Sequence, residues 1–506
     1  MTFDFTGLAI RTNCAICEKG GSLFAEEIVL RTGVVPKGSN GHNNPVISFE
    51  LCGEGCLPNC DAYRLELDGS TLTISAIGLR GLIFGYSLFL RKTTFESGRI
   101  TLTKDISGEY VPDKKIRGHQ LGYRTLSNTY DAWELKDYKR YYRDLMFFGS
   151  NVCEHIPYEG LTPRNNRLMK HDAEEFLIEV SRLADELDLD VSIWYPNNEE
   201  STEQAVARRK KVFENTPHIN YIYMPGGDPG ELPADEFLER SIAISKALKE
   251  SHPKAETWPS SQKPHSFLNW GEEFIEDLKK LPNEIDGIIS GPNRAFTLDE
   301  LRRKLPMQYP IRLCADITHN VRCEYPVHFN RDDWHYSLAT ALSRECINPR
   351  PMEYRLIHRL TRRYIVGSVS YSEGVNDDIN KMVWGDMDFF PNVPLYETLL
   401  DYARVFFYGV PAEKATNGIL GLEINWQGDP SENPHIESTL NIWLDLLNDY
   451  PKMIENWRFV QCLFRAKCDA LVRRRRCFEL ELIESAKKEL NIGKIFEATD
   501  ILSTAF

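Results

Sequence analysis

Residues 116–156 read IRGHQLGYRTLSNTYDAWELKDYKRYYRDLMFFGSNVCEHI. A short strand-like run at 116–123 empties into a polar loop. Apolar residues then recur near 3.6 spacing from Leu135 to Phe148, and a second short apolar run follows at 151–156. That is a strand, a loop, an amphipathic helix and a strand.

The same unit recurs outward from about 115 to 385. Strands are expected at Ile116–Tyr123, Asn151–Ile156, Val191–Tyr195, Ile219–Met224, Ala255–Trp258, Gly287–Ser290, Ile311–Cys314 and Ile365–Tyr371. Helices are expected between them at Leu135–Phe148, Ala173–Leu187, Gln204–Glu214, Pro233–Lys249 and Glu272–Lys280. Eight such units in a stretch of this length match a β/α barrel. A doubly wound sheet is the runner-up, but no glycine-rich phosphate turn follows the first strand, and polar strand ends are spread over the whole region.

Before this region, Tyr63, Leu65 and Leu67 alternate with polar residues, Asp68–Gly69 turns the chain, and Leu72, Ile74 and Ala76 resume the alternation, which predicts a hairpin. A helix through Leu82 to Leu90 follows. After the repeated region, YETLLDYARVFFYG, STLNIWLDLLNDY and NWRFVQCLFRAKCDALVRRRR read as helices, with Trp443, Leu446 and Leu447 at core spacing. The expected fold is α/β: a (β/α)8 TIM barrel over 113–390, preceded by a small α+β domain over 1–112 and followed by a helical C-terminal domain over 391–506.

Composition narrows the function. The chain has 506 residues, 42% hydrophobic and 26% charged, which is ordinary for a folded protein. A formal charge of −14 argues against nucleic acid or an anionic membrane as the main partner. The basic run Arg473–Arg476 reads as a solvated helix face. No segment approaches the ~18 consecutive apolar residues of a membrane span, and MTFDFTGLAIRTN has no basic stretch leading into an apolar one. A cytoplasmic location is the expectation, although a signal peptide already removed would leave the same N-terminus. A helical region added to a barrel often supports dimerisation, so a homodimer is also expected.

Cysteines cluster early, as Cys14 and Cys17, then Cys52, Cys56 and Cys60. Thiolates spaced two or three residues apart can share a tetrahedral ion, so zinc or an iron–sulfur cluster is one reading, a disulfide another, and free, partly buried thiols the third. No cofactor is expected.

Barrel enzymes carry their chemistry in the loops after the C-terminal strand ends. Strand one delivers His119, Gln120, Tyr123 and Arg124. Strand two delivers Glu154, and strand three Trp194, Asn197, Asn198 and Glu199. Strand four brings Asp228 and Glu231 beside two glycines, and strand five Trp258 and Gln262. Strand six brings Asn293, and strand seven Asp316 and His319. Strand eight opens into SVSYSEGVNDDINKMVW at 368–384, with Glu373, Asn376, Asp377, Asp378 and Lys381. Carboxylates with Trp and Tyr platforms suit a sugar, whose apolar faces stack on rings while its hydroxyls take polar hydrogen bonds. Glycoside cleavage needs one carboxylic acid and one anionic group.

The segment DAYRLELDGSTLTISAIGLRGLIFGYSLFLR resembles the small α+β domain that precedes the barrel in β-N-acetylhexosaminidases and α-glucuronidases, and IRGHQLGYR is similar to their first barrel strand. The resemblance implies an exo-acting glycoside hydrolase that takes a terminal N-acetylhexosamine-type sugar, with Asp228, Glu231, Asp316 and Glu373 as candidate acids. Hexosaminidases of the substrate-assisted kind place adjacent acids after strand four, whereas Asp228 and Glu231 are separated by Pro229 and Gly230. An α-glucuronidase-like inverting enzyme would draw its acids from later strands, as Asp316 and Glu373, and would pair a uronate with Arg124 or Lys381. A non-catalytic carbohydrate-binding protein on the same fold is a further alternative, as is a metal or redox enzyme using the cysteines.

Overall fold

The computed structural model describes residues 2–38, 44–96, 98–122, 129–156, 171–198, 201–227, 230–281, 283–320, 324–327 and 346–505. Eight parallel strands form the central sheet: Ile116–Leu121, Val152–His155, Asp190–Trp194, Tyr221–Met224, Glu256–Pro259, Ile288–Ser290, Ile311–Leu313 and Gly367–Ser370. Strand one pairs with both strand two and strand eight, so the sheet curls on itself. The remaining seam, between strands five and six, is held by single bridges at Ser260–Ile289 and Gln262–Arg294. The fold is a nearly closed TIM barrel, and each expected strand is present within a few residues of its predicted limits.

The side-chain period of two sorts each strand into an inner and an outer face. Ile116, Val152, Tyr221, Tyr223, Trp258, Ile289, Cys314, Val369 and Tyr371 form a separate cluster inside the barrel. Residues one step away, such as Leu121, Cys153, Ile193, Ile222 and Leu313, belong to the larger core under the helices. Several intervening helices carry start signals the sequence announces: Ser201 with Gln204 and Thr297 with Glu300 make capping boxes, and Asp172 accepts from Glu174 and Glu175 N–H.

The N-terminal region contains the predicted hairpin, Tyr63–Asp68 against Thr71–Ala76, followed by the helix Leu79–Arg91. It also holds a helix that the β-rich reading of this region omits, Ala15–Thr32. Gly20, Gly21 and the flanking cysteines mask it in sequence. Tertiary packing explains it, because Gly20 lies against Phe49 and Leu82, and at Gly21 a larger side chain would crowd Thr12 and Ile10. The helix ends at Gly33, whose φ of 71° is the left-handed cap.

Asp61 joins this region to the N-terminal end of the barrel. Its carboxylate accepts from Arg80 Nε at 2.6 Å, Arg117 at 2.8 Å and Asn151 Nδ2 at 2.7 Å, and Arg80 also reaches Asp190 at 2.8 Å. Burial alone would raise the Asp61 pKa, but Arg117 and Arg80 outweigh it and hold the group at about 2. The C-terminal helices Leu395–Phe406, Ala412–Ile424, His435–Asp449, Trp457–Asn491 and Ile495–Ser503 follow the barrel. Buried ion pairs tie them in: Arg91 bridges Asp386 and Asp401, and Asp378 accepts from Tyr141, Tyr402 and Arg458. Among the described residues no helix is long and apolar enough to cross a membrane.

Cys52 and Cys56 form a disulfide, and Cys14 lies 3.0 Å from Cys17. Cys60 instead meets Arg80 and Asp61. The Cys52–Cys56 pair matches the disulfide reading, and no group of three metal-binding side chains occurs among the described residues.

Candidate active site

The site grows from the ends of strands seven and eight. Tyr371 N–H donates to Ala315 O at 2.8 Å, and Asp316 bridges Tyr371, so the pairing continues past both strands. Alternation then carries Cys314 and Asp316 inward on one side and Val369, Tyr371 and Glu373 inward on the other.

Asp316 turns the chain back toward itself. One carboxylate oxygen accepts from the N–H groups of Thr318 (3.3 Å) and His319 (3.1 Å), and the other meets His319 Nδ1 at 2.8 Å. Burial works to raise the Asp316 pKa; the His319 side chain and these backbone donors outweigh it and hold the carboxyl below its usual range. An anionic acceptor at Nδ1 places the ring proton there. The His319 ring lies against Tyr371, centroids 5.2 Å apart, and its Nε2 is 3.4 Å from Glu373 Oε2. The Tyr371 hydroxyl donates to the other Glu373 oxygen. Asp316, His319, Tyr371 and Glu373 are therefore one connected group, and all are buried.

The dense polarity of 368–384 holds the two loops together. Asn376 Nδ2 donates to Thr318 Oγ1 at 3.2 Å, and Asn380 Nδ2 to Ile317 O at 3.2 Å and Asn348 O at 3.1 Å. Lys381 donates to Gly374 O at 2.9 Å and to Asp377, over the rings of Tyr130 and Tyr141. Burial would lower the Lys381 pKa, but Asp377 and Tyr130 outweigh it and raise it, so the ammonium stays charged. Lys381 and Asp377, expected at the sugar, thus satisfy each other and clamp the carbonyl next to Glu373.

Below this group lies a polar barrel floor. Glu154 accepts from Gln120 Nε2 at 2.9 Å, Ser192 Oγ at 2.6 Å and Arg312 at 2.5 Å, with Glu154 and Arg312 fully buried. The cation beside Glu154 is Arg312, from the middle of strand seven. Gln262 accepts from Tyr223 and Ser260 hydroxyls at 3.0 and 2.9 Å, and Trp194 meets Tyr223 edge to face.

Other expected rim residues take different places. His119 is on the outer face of strand one, with Nδ1 2.6 Å from Ser370 Oγ and Nε2 toward the Gly385 helix; strand parity, not the rim, decides its direction. Burial lowers its pKa far below the usual histidine range, so it is neutral. Trp258 is buried inside the barrel, its indole N–H bonded to Glu256, and serves as core. Asn197 accepts from Arg240 at 3.0 Å. Glu231 is exposed, and its carboxylate accepts from the backbone N–H groups of His265 and Ser266. The Ser266 side chain and those N–H groups lower its pKa, so it is an anion rather than a held acid. Tyr123, Arg124, Glu199 and Asp228 lie outside the described residues. Tyr371 is the site residue that sequence reading missed; its signal was the two-residue step to Glu373.

No family model matches the sequence, and no curated protein matches it. Solved structures do. A GH138 enzyme targeting pectin rhamnogalacturonan II aligns with a TM-score of 0.58 at 10% identity over 98% of this chain and 72% of its own. The GH20 β-N-acetylhexosaminidase of Streptomyces coelicolor A3(2) aligns at 0.55 and 11% identity, over 81% of this chain and 93% of its own. CpGH84B aligns at 0.59 and 10% identity, over 100% and 94%. At such identities the likeness speaks for the fold: this chain has the fold of TIM-barrel glycoside hydrolases, the hexosaminidases among them.

Proposed function

We propose that the protein is an exo-acting glycoside hydrolase in which Glu373 exchanges the proton with the glycosidic oxygen, while His319 and Asp316 set that proton. The observation that carries this reading is the Asp316–His319–Glu373 chain at the C-terminal strand ends. With Nδ1–H given to Asp316, Nε2 and the Glu373 carboxylate are two acceptors facing each other. They are compatible when one proton lies on one of them, which is the state a general acid needs. Asp316, with both oxygens occupied by the ring and the 318–319 backbone, is suited to orienting His319 rather than to attacking a sugar.

A terminal N-acetylhexosamine is the substrate class that the GH20 neighbour supports. A uronate-accepting, inverting enzyme is the second reading, favoured by the position of the assembled acids on strands seven and eight rather than four. A panel of aryl glycosides, N-acetyl-β-hexosaminides and α-uronides included, tests both, with NMR of the first-formed anomer reporting stereochemistry. Absence of turnover on every sugar, with sugar binding retained, would leave the carbohydrate-binding alternative standing.

A further inference from the structure

Cys14 caps the N-terminus of the Ala15–Thr32 helix, and Cys17 lies in its first turn, so Cys-Ala-Ile-Cys spans the helix start. Their sulfurs are 3.0 Å apart, and Cys17 N–H donates to Cys14 Sγ at 3.3 Å. The two thiols are unequal. Cys17 is fully buried, whereas Cys14 is half-buried between exposed Asn13, Ala15 and Ile16.

Their acidities diverge in the same sense. The Cys17 side chain and its backbone N–H lower the Cys14 pKa, while burial and the neighbouring Cys14 push the Cys17 thiol up to about 11. The N-terminal end of the helix also favours negative charge at Cys14. An accessible thiolate touching a buried, protonated thiol is how an attacking and a resolving cysteine are arranged; two inert structural thiols would both be buried and both raised. A metal is not what the pair serves. Cys52 and Cys56 are bonded to each other, Cys60 meets Arg80 and Asp61, and no third metal-binding side chain joins the pair among the described residues.

We infer that Cys14 and Cys17 form a reversible thiol–disulfide exchange site, in which Cys14 attacks a small-molecule disulfide and Cys17 resolves the product. With oxidised glutathione, the Cys14 thiolate bonds to one glutathione sulfur, the glutathione S–S bond breaks, and the departing thiolate takes a proton from water. Cys17 then gives its proton to solvent and attacks Cys14 Sγ, forming the Cys14–Cys17 bond and releasing the second glutathione as a thiol. The chain's two thiols are oxidised and the small disulfide is reduced.

Trypsin releases residues 12–19 as one peptide that holds these two cysteines and no other, so mass spectrometry of the full chain reads the site directly. After folded protein is exposed to oxidised glutathione, this peptide should be two hydrogens lighter, and dithiothreitol added to the folded protein should reverse the change. Iodoacetamide at neutral pH should label Cys14 more than about tenfold faster than Cys17. Cys17→Ser should trap one glutathione on Cys14, and Cys14→Ser should trap none on Cys17, with circular dichroism confirming that both variants fold. A peptide that never closes, a bond that resists dithiothreitol in the folded chain, faster labelling of Cys17, or a folded Cys17→Ser chain without the adduct would each overturn the inference. The wild-type measurements decide it even where a variant does not fold.

Discussion

Asp316 and Glu373 meet opposite nitrogens of one imidazole: His319 Nδ1 is 2.8 Å from Asp316 and Nε2 is 3.4 Å from Glu373. They come from different strands, far apart in sequence, and only barrel closure brings them to one ring.

Glu373→Gln keeps the shape and removes the exchangeable proton. Turnover of the best aryl glycoside should fall by about 10²–10⁴-fold, with the melting temperature nearly unchanged. Activity close to wild type would remove Glu373 from the chemistry.

Asp316→Asn acts through the ring. Without the carboxylate, the imidazolium loses its stabilising charge, so the histidine pKa falls and the limb of the pH–rate profile that depends on it should move to lower pH. A loss of about 10²-fold in kcat with little change in KM is expected. A rate loss with an unmoved profile would mean that Asp316 only holds the loop.

Lys381→Met should lower kcat while leaving KM nearly constant, because Lys381 is fully buried, paired with Asp377, and holds Gly374 O beside Glu373. It also leaves Asp377 buried without its cation, which should cost about 3–5 kcal/mol in urea unfolding. A substrate-binding lysine would show the reverse pattern, a raised KM.

Arg312→Met strands the Glu154 carboxylate within the barrel, and about 3–5 kcal/mol of stability should be lost. Replacing both partners, Glu154→Leu with Arg312→Met, should recover much of that loss, since two apolar groups need no counter-charge. Equal losses in the single and double variants would contradict the ion-pair account.

Acid should loosen the N-terminal region first. Asp61 has a pKa of about 2 in the folded chain and near 4 when unfolded, so its contribution of about 2 kcal/mol is complete above pH ~4 and disappears as pH falls through ~2. Asp61→Asn should flatten that part of the stability–pH curve. An identical acid slope in wild type and variant would show that other carboxylates govern it.

Local pattern was enough for much of the fold. The eight strands, the helices between them and the 63–76 hairpin follow from apolar periodicity, because burial of one face per element is a property of neighbours in sequence. The Ala15–Thr32 helix escaped, since its glycines are explained only through contacts with Phe49 and Leu82 from elsewhere in the chain. The polar strand ends were also legible as a class, and Asp316, His319 and Glu373 were among them.

Which polar residue does what was decided by the tertiary structure. Direction along a strand changes with every residue, so His119 faces the helices while Gln120 beside it reaches Glu154. Partners come from other strands and turns: Arg312 neutralises Glu154, and Lys381 and Asp377 neutralise each other. The amino-acid order determined the elements, their eightfold repetition and the stock of acids at one end, because these depend on periods of two and 3.6 along the chain. The pairing of charges, and with it the separation of the carboxylates held by cations from the two that meet His319, was decided only when the barrel closed, because electrostatic energy depends on distance in space.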